Sequence, residues 1–217
     1  HNTGLIRQMP HLVLLGDSVF DNARYVSKGY SVLEQLRTQL SSDWQVTLLA
    51  VDGDVSADIS RQLKDLPVDS THLLISCGGN DALRHAYLLR EQVNNVGDAM
   101  GLFAQARRKF QRDYDSMLSN VLTLNRRAAV CTVYDTIPEI GESALTALSM
   151  FNEIILRSAI ATKIPVLDLR LVLSEKSDYS AVSPIEPSAT GPAKLVRSIS
   201  DLVNNHDFAA KQTIIYV

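Results

Sequence analysis

Three times in the first 81 residues, an apolar run stops at a polar cluster containing glycine and then gives way to helical spacing. Leu12 to Leu15 ends in Gly16-Asp17-Ser18, Gln45 to Ala50 runs into Asp52-Gly53-Asp54, and Thr71 to Ser76 runs into Gly78-Gly79-Asn80-Asp81. Runs this short bounded by glycine read as buried strands rather than helices. Val32, Leu33, Leu36 and Leu40 then recur at helical spacing after the first cluster, as do Ile59, Leu63 and Leu66 after the second. Strands apolar almost throughout, alternating with helices, point to a parallel sheet covered on both faces. In such a sheet all three clusters emerge on the carboxyl edge, where ligands bind and helix N-termini converge.

The rest of the chain continues the pattern. Ala128 to Val133 and Ile164 to Leu169 read as fourth and fifth strands, and Gln212 to Val217 as a short closing one. Phe103, Ala106, Phe110, Tyr114, Met117 and Val121 form an apolar stripe at helical spacing, with Arg107, Arg108, Lys109 and Arg112 on a solvated face. Leu148, Phe151, Ile155 and Ala159 mark a further helix. The last begins near Ser188 to Gly191 and buries Leu195, Val196, Ile199 and Val203. Between Asp81 and Leu102 the pattern is irregular, as expected of a loop or short helices lying over the strand ends. No repeat or linker divides the chain, so residues 1–217 are expected to form one α/β domain: a three-layer α/β/α sandwich, flavodoxin-like, around a mostly parallel five-stranded sheet.

Charge and composition narrow the function. A net charge of −3 with scattered Lys and Arg leaves no footprint for nucleic acid. The longest apolar runs are too short for a membrane span, and no charged segment precedes an apolar one at the N-terminus. With Cys77 and Cys131 both in apolar segments and read as reduced core thiols, a cytoplasmic location is expected, although a start at His1 leaves room for a trimmed or processed N-terminus. Neither a metal site nor a cofactor motif is present in the sequence.

Taken alone, Gly16-Asp17-Ser18 could be an ordinary turn, Asn80 a helix cap and Gly53 a chain reversal. In order, on three successive strand ends, they resemble the GDSL/SGNH hydrolase family across nearly the whole chain. Gly16-Asp17-Ser18 with Asp21-Asn22 is similar to the family's first block, Gly53 to its second and Gly78-Gly79-Asn80-Asp81 to its third. The resemblance implies a serine hydrolase acting on a small acyl or acetyl ester or a glycan-type substrate. Ser18 would be the nucleophile, and the backbone N–H of Ser18, the backbone N–H of Gly53 and the Asn80 amide would hold the oxyanion. Asp17, Asp21, Asn22 and Asp81 are expected to line or support that site. Arg24, Tyr25, Arg84 and Tyr134 are further pocket candidates.

The resemblance breaks at the family's Asp-x-x-His pair. In Ser183-Pro184-Ile185-Glu186-Pro187-Ser188-Ala189-Thr190-Gly191, aligned on the approach to the last helix, Ser183 stands at the Asp position and Glu186 at the His position. His11 and His72 begin strands and belong at the opposite edge, and His206 follows the last helix. His85 is on the correct edge but reads as a wall residue. Glu186 is open to three readings: general base, substrate contact, or a structural tie from its loop to the first helix. Three functional classes follow: a serine esterase with Glu186 as base, an acyl or group transferase on the same site, and a binding protein that lost turnover.

Overall fold

The computed structural model describes residues 8–180, 183, 185–188 and 190–217. The reading of the start at His1, and Pro184 and Ala189 of the Glu186 loop, lie outside the described residues.

Six parallel strands form one sheet: β1 (His11–Gly16), β2 (Gln45–Leu48), β3 (His72–Ser76), β4 (Arg127–Cys131), β5 (Val166–Leu167) and β6 (Ile215–Tyr216), in the order β2-β1-β3-β4-β5-β6. The sheet therefore has six strands rather than the five expected. The sixth falls within the closing strand read at Gln212 to Val217 and pairs Val166 with Ile215. The helices are α1 (Val32–Gln39), α2 (Ile59–Gln62), α3 (Gly79–Leu83), α4 (Val96–Thr123), α5 (Glu142–Thr162), α6 (Leu169–Val172) and α7 (Thr190–Asn205), with short 3-10 turns between several of them.

Alternation along β1 divides the interior into two cores, because successive strand residues face opposite sides. Leu12 and Leu14 join Leu36 of α1 and Leu195, Ile199 and Leu202 of α7; Val13 and Leu15 join Ile59 of α2, Phe110 and Tyr114 of α4, and Phe151 and Ile155 of α5. Helix α5 is long and apolar enough to cross a membrane by length and composition, but Leu148, Phe151, Ile154, Ile155 and Ala159 commit that apolarity to the second core. Cys77 and Cys131 are buried free thiols. The cationic face of α4 is partly paired, Arg107 with Glu153 and Lys109 with Asp113.

Strand β1 lies between β2 and β3, so the chain leaves it toward opposite sides and opens a crevice at its carboxyl end. The polar cluster after β1 sits at that crevice.

Candidate active site

The turn after β1 is built around a glycine that no other residue could replace without distortion. Gly16 has φ +132, and a Cβ there would lie 1.9 Å from the carbonyl oxygen of Ser76 on β3. Gln62 of α2 clamps the same residue, accepting from the Gly16 N–H at 2.9 Å and donating to its carbonyl at 2.7 Å and to Asp54 at 2.8 Å. The chain then reverses on itself: the amides of Phe20 and Asp21 donate to the carbonyl of Asp17, and the Asp17 carboxylate accepts from the Val19 amide. Ser18 is thereby displayed at the strand end, 7% exposed and facing a cavity.

Polar side chains tie the three clusters together. Asp21 accepts from the Asp52 amide at 2.9 Å, and the Asn80 side-chain amide donates to the Asp54 carbonyl at 2.9 Å. Gly53 sits between those two ties, at φ +89, with open space where a Cβ would point. Asp81 accepts from both the amide and the hydroxyl of Ser56, fixing the third cluster to the segment after the second. Among the described residues, the N–H groups of Ser18 and Gly53 donate to no protein acceptor. The Asn80 amide carries a second N–H beyond the one given to Asp54.

Glu186 reaches this point from the far end of the chain. Ser18 Oγ donates to Glu186 Oε1 at 2.9 Å, across 168 residues of sequence. Glu186 is 5% exposed, and its Oε2 is buried with no partner among the described residues. Burial pushes its carboxyl up to about 7, against the opposing pull of the Ser18 hydroxyl, and the nearby charge of Asp52 adds to the rise. Asp17 is pushed further, to about 8, by its own burial, with the negative charges of Glu186, Asp81 and Asp52 reinforcing it.

The Glu186 segment is held by its backbone. Its amide donates to the Ser183 carbonyl, its carbonyl accepts from the Ser180 amide at 2.6 Å, and the Ser188 amide donates to the Asp178 carbonyl at 2.6 Å. The Tyr134 hydroxyl, at the end of β4, donates to the carbonyl of Ile185. Tyr179 bridges Pro187 and packs edge-on against Tyr134.

The expected residues thus fall into groups. Ser18, Asp17, Asn80 and Glu186 line one cavity, together with Tyr134 and His85. Asp21 and Asp81 brace the clusters, while the Asn22 carboxamide accepts from the Val32 amide and secures the start of α1. Ser183 contributes its carbonyl to the Glu186 turn. Arg24 and Tyr25 both bind Asp52, Arg84 is exposed, and none of the three lines the cavity. His11 and His72 lie at the amino end of the sheet, and His206 pairs with Tyr216. Sequence reasoning missed the Gln62 clamp and the role of Tyr134 toward Ile185, for neither of which the sequence carries a signal.

The remaining lining of the cavity is mostly apolar, supplied by α3, the 3-10 turn Ala86–Arg90, α4 and α5.

The chain matches the family model described as GDSL-like lipase/acylhydrolase over residues 14–193. A search of curated proteins gave no significant match. Among solved structures, the lipase Lip_vut3 from a goat rumen metagenome superposes with a TM-score of 0.67 at 18% identity, covering 87% of this chain and 94% of its own. The acetyl xylan esterase AlAXEase gives 0.68 at 13% identity over 89% and 99%. Phospholipase A1 from Streptomyces albidoflavus NA297 gives 0.66 at 14% over 92% and 100%. At these identities the likeness is one of fold.

Proposed function

Because the chain belongs to the GDSL-like lipase/acylhydrolase family, we propose that it is a serine acyl-ester hydrolase in which Ser18 attacks the ester carbonyl and Glu186 serves as the base. The observation that carries this reading is the 2.9 Å hydrogen bond from Ser18 Oγ to a buried carboxylate at the mouth of the β1 crevice.

An ordinary carboxylate is a poor base for a serine hydroxyl, because it is too acidic. Burial brings Glu186 to about 7, in the range where a general base is effective at neutral pH. As Ser18 Oγ bonds to the carbonyl carbon, its proton passes to Glu186 Oε1, and the carbonyl oxygen becomes an oxyanion. The uncommitted N–H groups of Ser18 and Gly53 and the second N–H of Asn80 would receive that charge. Glu186, now a carboxylic acid, gives the proton to the departing alkoxide. The acyl-Ser18 ester is then cleaved by water whose proton Glu186 accepts, and the reverse transfer returns the proton to Ser18.

A purely binding role gives no reason for leaving backbone donors unused beside a serine that is hydrogen-bonded to a base. This consideration favours turnover over binding alone.

The test is hydrolysis of p-nitrophenyl butyrate. Ser18→Ala should abolish it, and Glu186→Gln, which keeps an acceptor for the Ser18 hydroxyl, should lower kcat by about 10²–10⁴-fold. A fluorophosphonate probe should label the wild-type chain at Ser18. Equal activity in all three proteins would refute the assignment.

A further inference from the structure

We propose that the acyl group delivered to Ser18 is a neutral hydrocarbon chain well longer than acetyl, received in the cavity walled by α3, the Ala86–Arg90 turn, α4 and α5. The proposal rests on the Ser18 and Glu186 reading above and names its substrate class.

The wall is the first argument. Leu83, Leu89, Phe103, Ile140, Leu148 and Phe151 line the cavity, contributed by segments far apart in sequence. Phe151 is backed by the ring of Phe110, with centroids 4.9 Å apart, so this side of the cavity is the second hydrophobic core brought to the surface. An acetyl group would leave nearly all of that lining wet.

Charge is the second argument. Among the described residues no Lys or Arg lines the cavity, whereas the carboxyl groups of Asp17 and Glu186 do. A chain ending in a carboxylate or phosphate would find no cationic side chain here to compensate its charge. His85, which also lines the cavity, gives its Nδ1–H to the Asp81 carbonyl at 2.9 Å. A sugar-bearing group would also find few partners along this wall, which sets the cavity against carbohydrate as the part bound here.

The mouth is the third. Leu83 and Leu89 line the cavity while remaining 51% and 41% exposed, and Ile185, beside Glu186, is 40% exposed. The apolar surface therefore runs continuously from the nucleophile out to solvent, giving a long chain contact along its length.

The experiment is a p-nitrophenyl ester series from acetate through butyrate, hexanoate and octanoate to decanoate, run beside a binding assay that needs no turnover. kcat/KM should climb about three- to four-fold per added methylene until the chain fills the cavity. Ala144→Phe, which narrows the cavity, should lower the octanoate-to-acetate ratio more than ten-fold. Ser18→Ala should bind the neutral fluorescent probe cis-parinaric acid methyl ester saturably and release it to methyl decanoate but not to methyl acetate. If the acetate ester is turned over as well as the octanoate and the parinaric methyl ester does not bind, the acyl-chain proposal is overturned while the serine hydrolase stands. If no ester is turned over by any form, the hydrolase reading falls, and methyl decanoate-sensitive binding of the parinaric methyl ester still decides the character of the cavity.

Discussion

The hydroxyl of Tyr134 donates to the carbonyl of Ile185, the residue immediately before Glu186, from a position 51 residues away in the chain. Where a histidine base is commonly oriented by a third side chain, the Glu186 carboxylate has none on Oε2 among the described residues, so its aim depends on how its backbone is fixed. Tyr134 is 6% exposed and its ring is wedged against Tyr179, which makes it a rigid anchor. Tyr134→Phe keeps the ring and deletes the hydrogen bond. We expect kcat to fall about 10-fold or more with KM little changed, a magnitude typical of slight misplacement of a reacting group. The acidic limb of the pH profile should also move upward as the Ser18 bond to Glu186 loosens. A fall in thermal midpoint with kcat and the limb unchanged would reduce Tyr134 to a packing residue.

The two raised carboxyls make activity and stability run in opposite directions with pH. In the proposed mechanism the base must be ionised, so kcat/KM should rise through about pH 7. Stability follows the other sign. Glu186 rises from an ordinary 4.5 to about 7 and Asp17 from 3.8 to about 8, so each favours the folded state when protonated. Their contribution is fully present below those ordinary values and is lost as pH climbs through about 7 and about 8. The thermal midpoint should therefore decline between about pH 5 and about pH 9, and less steeply in Glu186→Gln and Asp17→Asn. A midpoint that rises over this interval, or a decline identical in all three proteins, contradicts the account.

Much of this arrangement is legible in the amino-acid sequence, for a local reason. Strand period, glycine breaks and polar clusters are properties of short windows, and Gly16, Gly53 and Gly78 all take positive φ where the runs end. That is why local pattern alone brings Ser18, Gly53 and Asn80 to one edge of the sheet, whereas Glu186 is placed there only by the resemblance of its segment to the family's Asp-x-x-His pair. The sixth strand is harder to count because β5 and β6 have two residues each, too few to show a period. The cavity wall is not legible at all. Phe103 and Phe151 belong to the same stripes that build the core, and nothing in helical spacing separates the part of a stripe that meets the sheet from the part that meets a void.

The clamp on Gly16 should be a point of high stability cost. Gly16→Ala would press a methyl group into the Ser76 carbonyl at a φ that L-residues avoid, costing on the order of 3 kcal/mol or more. Gln62→Leu preserves volume but strands the Gly16 N–H and withdraws a donor from Asp54, costing about 2 kcal/mol. Urea unfolding at neutral pH reads both as lowered midpoints. Because Gly16 lies two residues before Ser18, Gln62→Leu should also reduce turnover at temperatures where it stays folded. A Gln62→Leu protein as stable and active as wild type would remove the clamp from the explanation of how Ser18 is held.

Asn80 is the sharpest test of the anion-holding role, because its amide divides its two hydrogens between different tasks. One is given to the Asp54 carbonyl at 2.9 Å, which sets the orientation of the side chain and ties it to the residue after Gly53. The other belongs to an atom group lining the cavity beside Ser18. If it meets charge only in the tetrahedral state, its loss acts on kcat rather than on substrate binding. Asn80→Ala should lower kcat by about 10²–10³-fold with KM within a small factor of wild type. The lost tie to Asp54 also predicts a modest drop in thermal midpoint, so activity must be compared well below that midpoint. Asn80→Asp separates the two effects: it puts acceptor oxygens where both donors stood, near the carboxyls of Asp17 and Glu186, and should be at least as inactive as the alanine variant. An Asn80→Asp protein with wild-type kcat would show that no anion forms against this side chain.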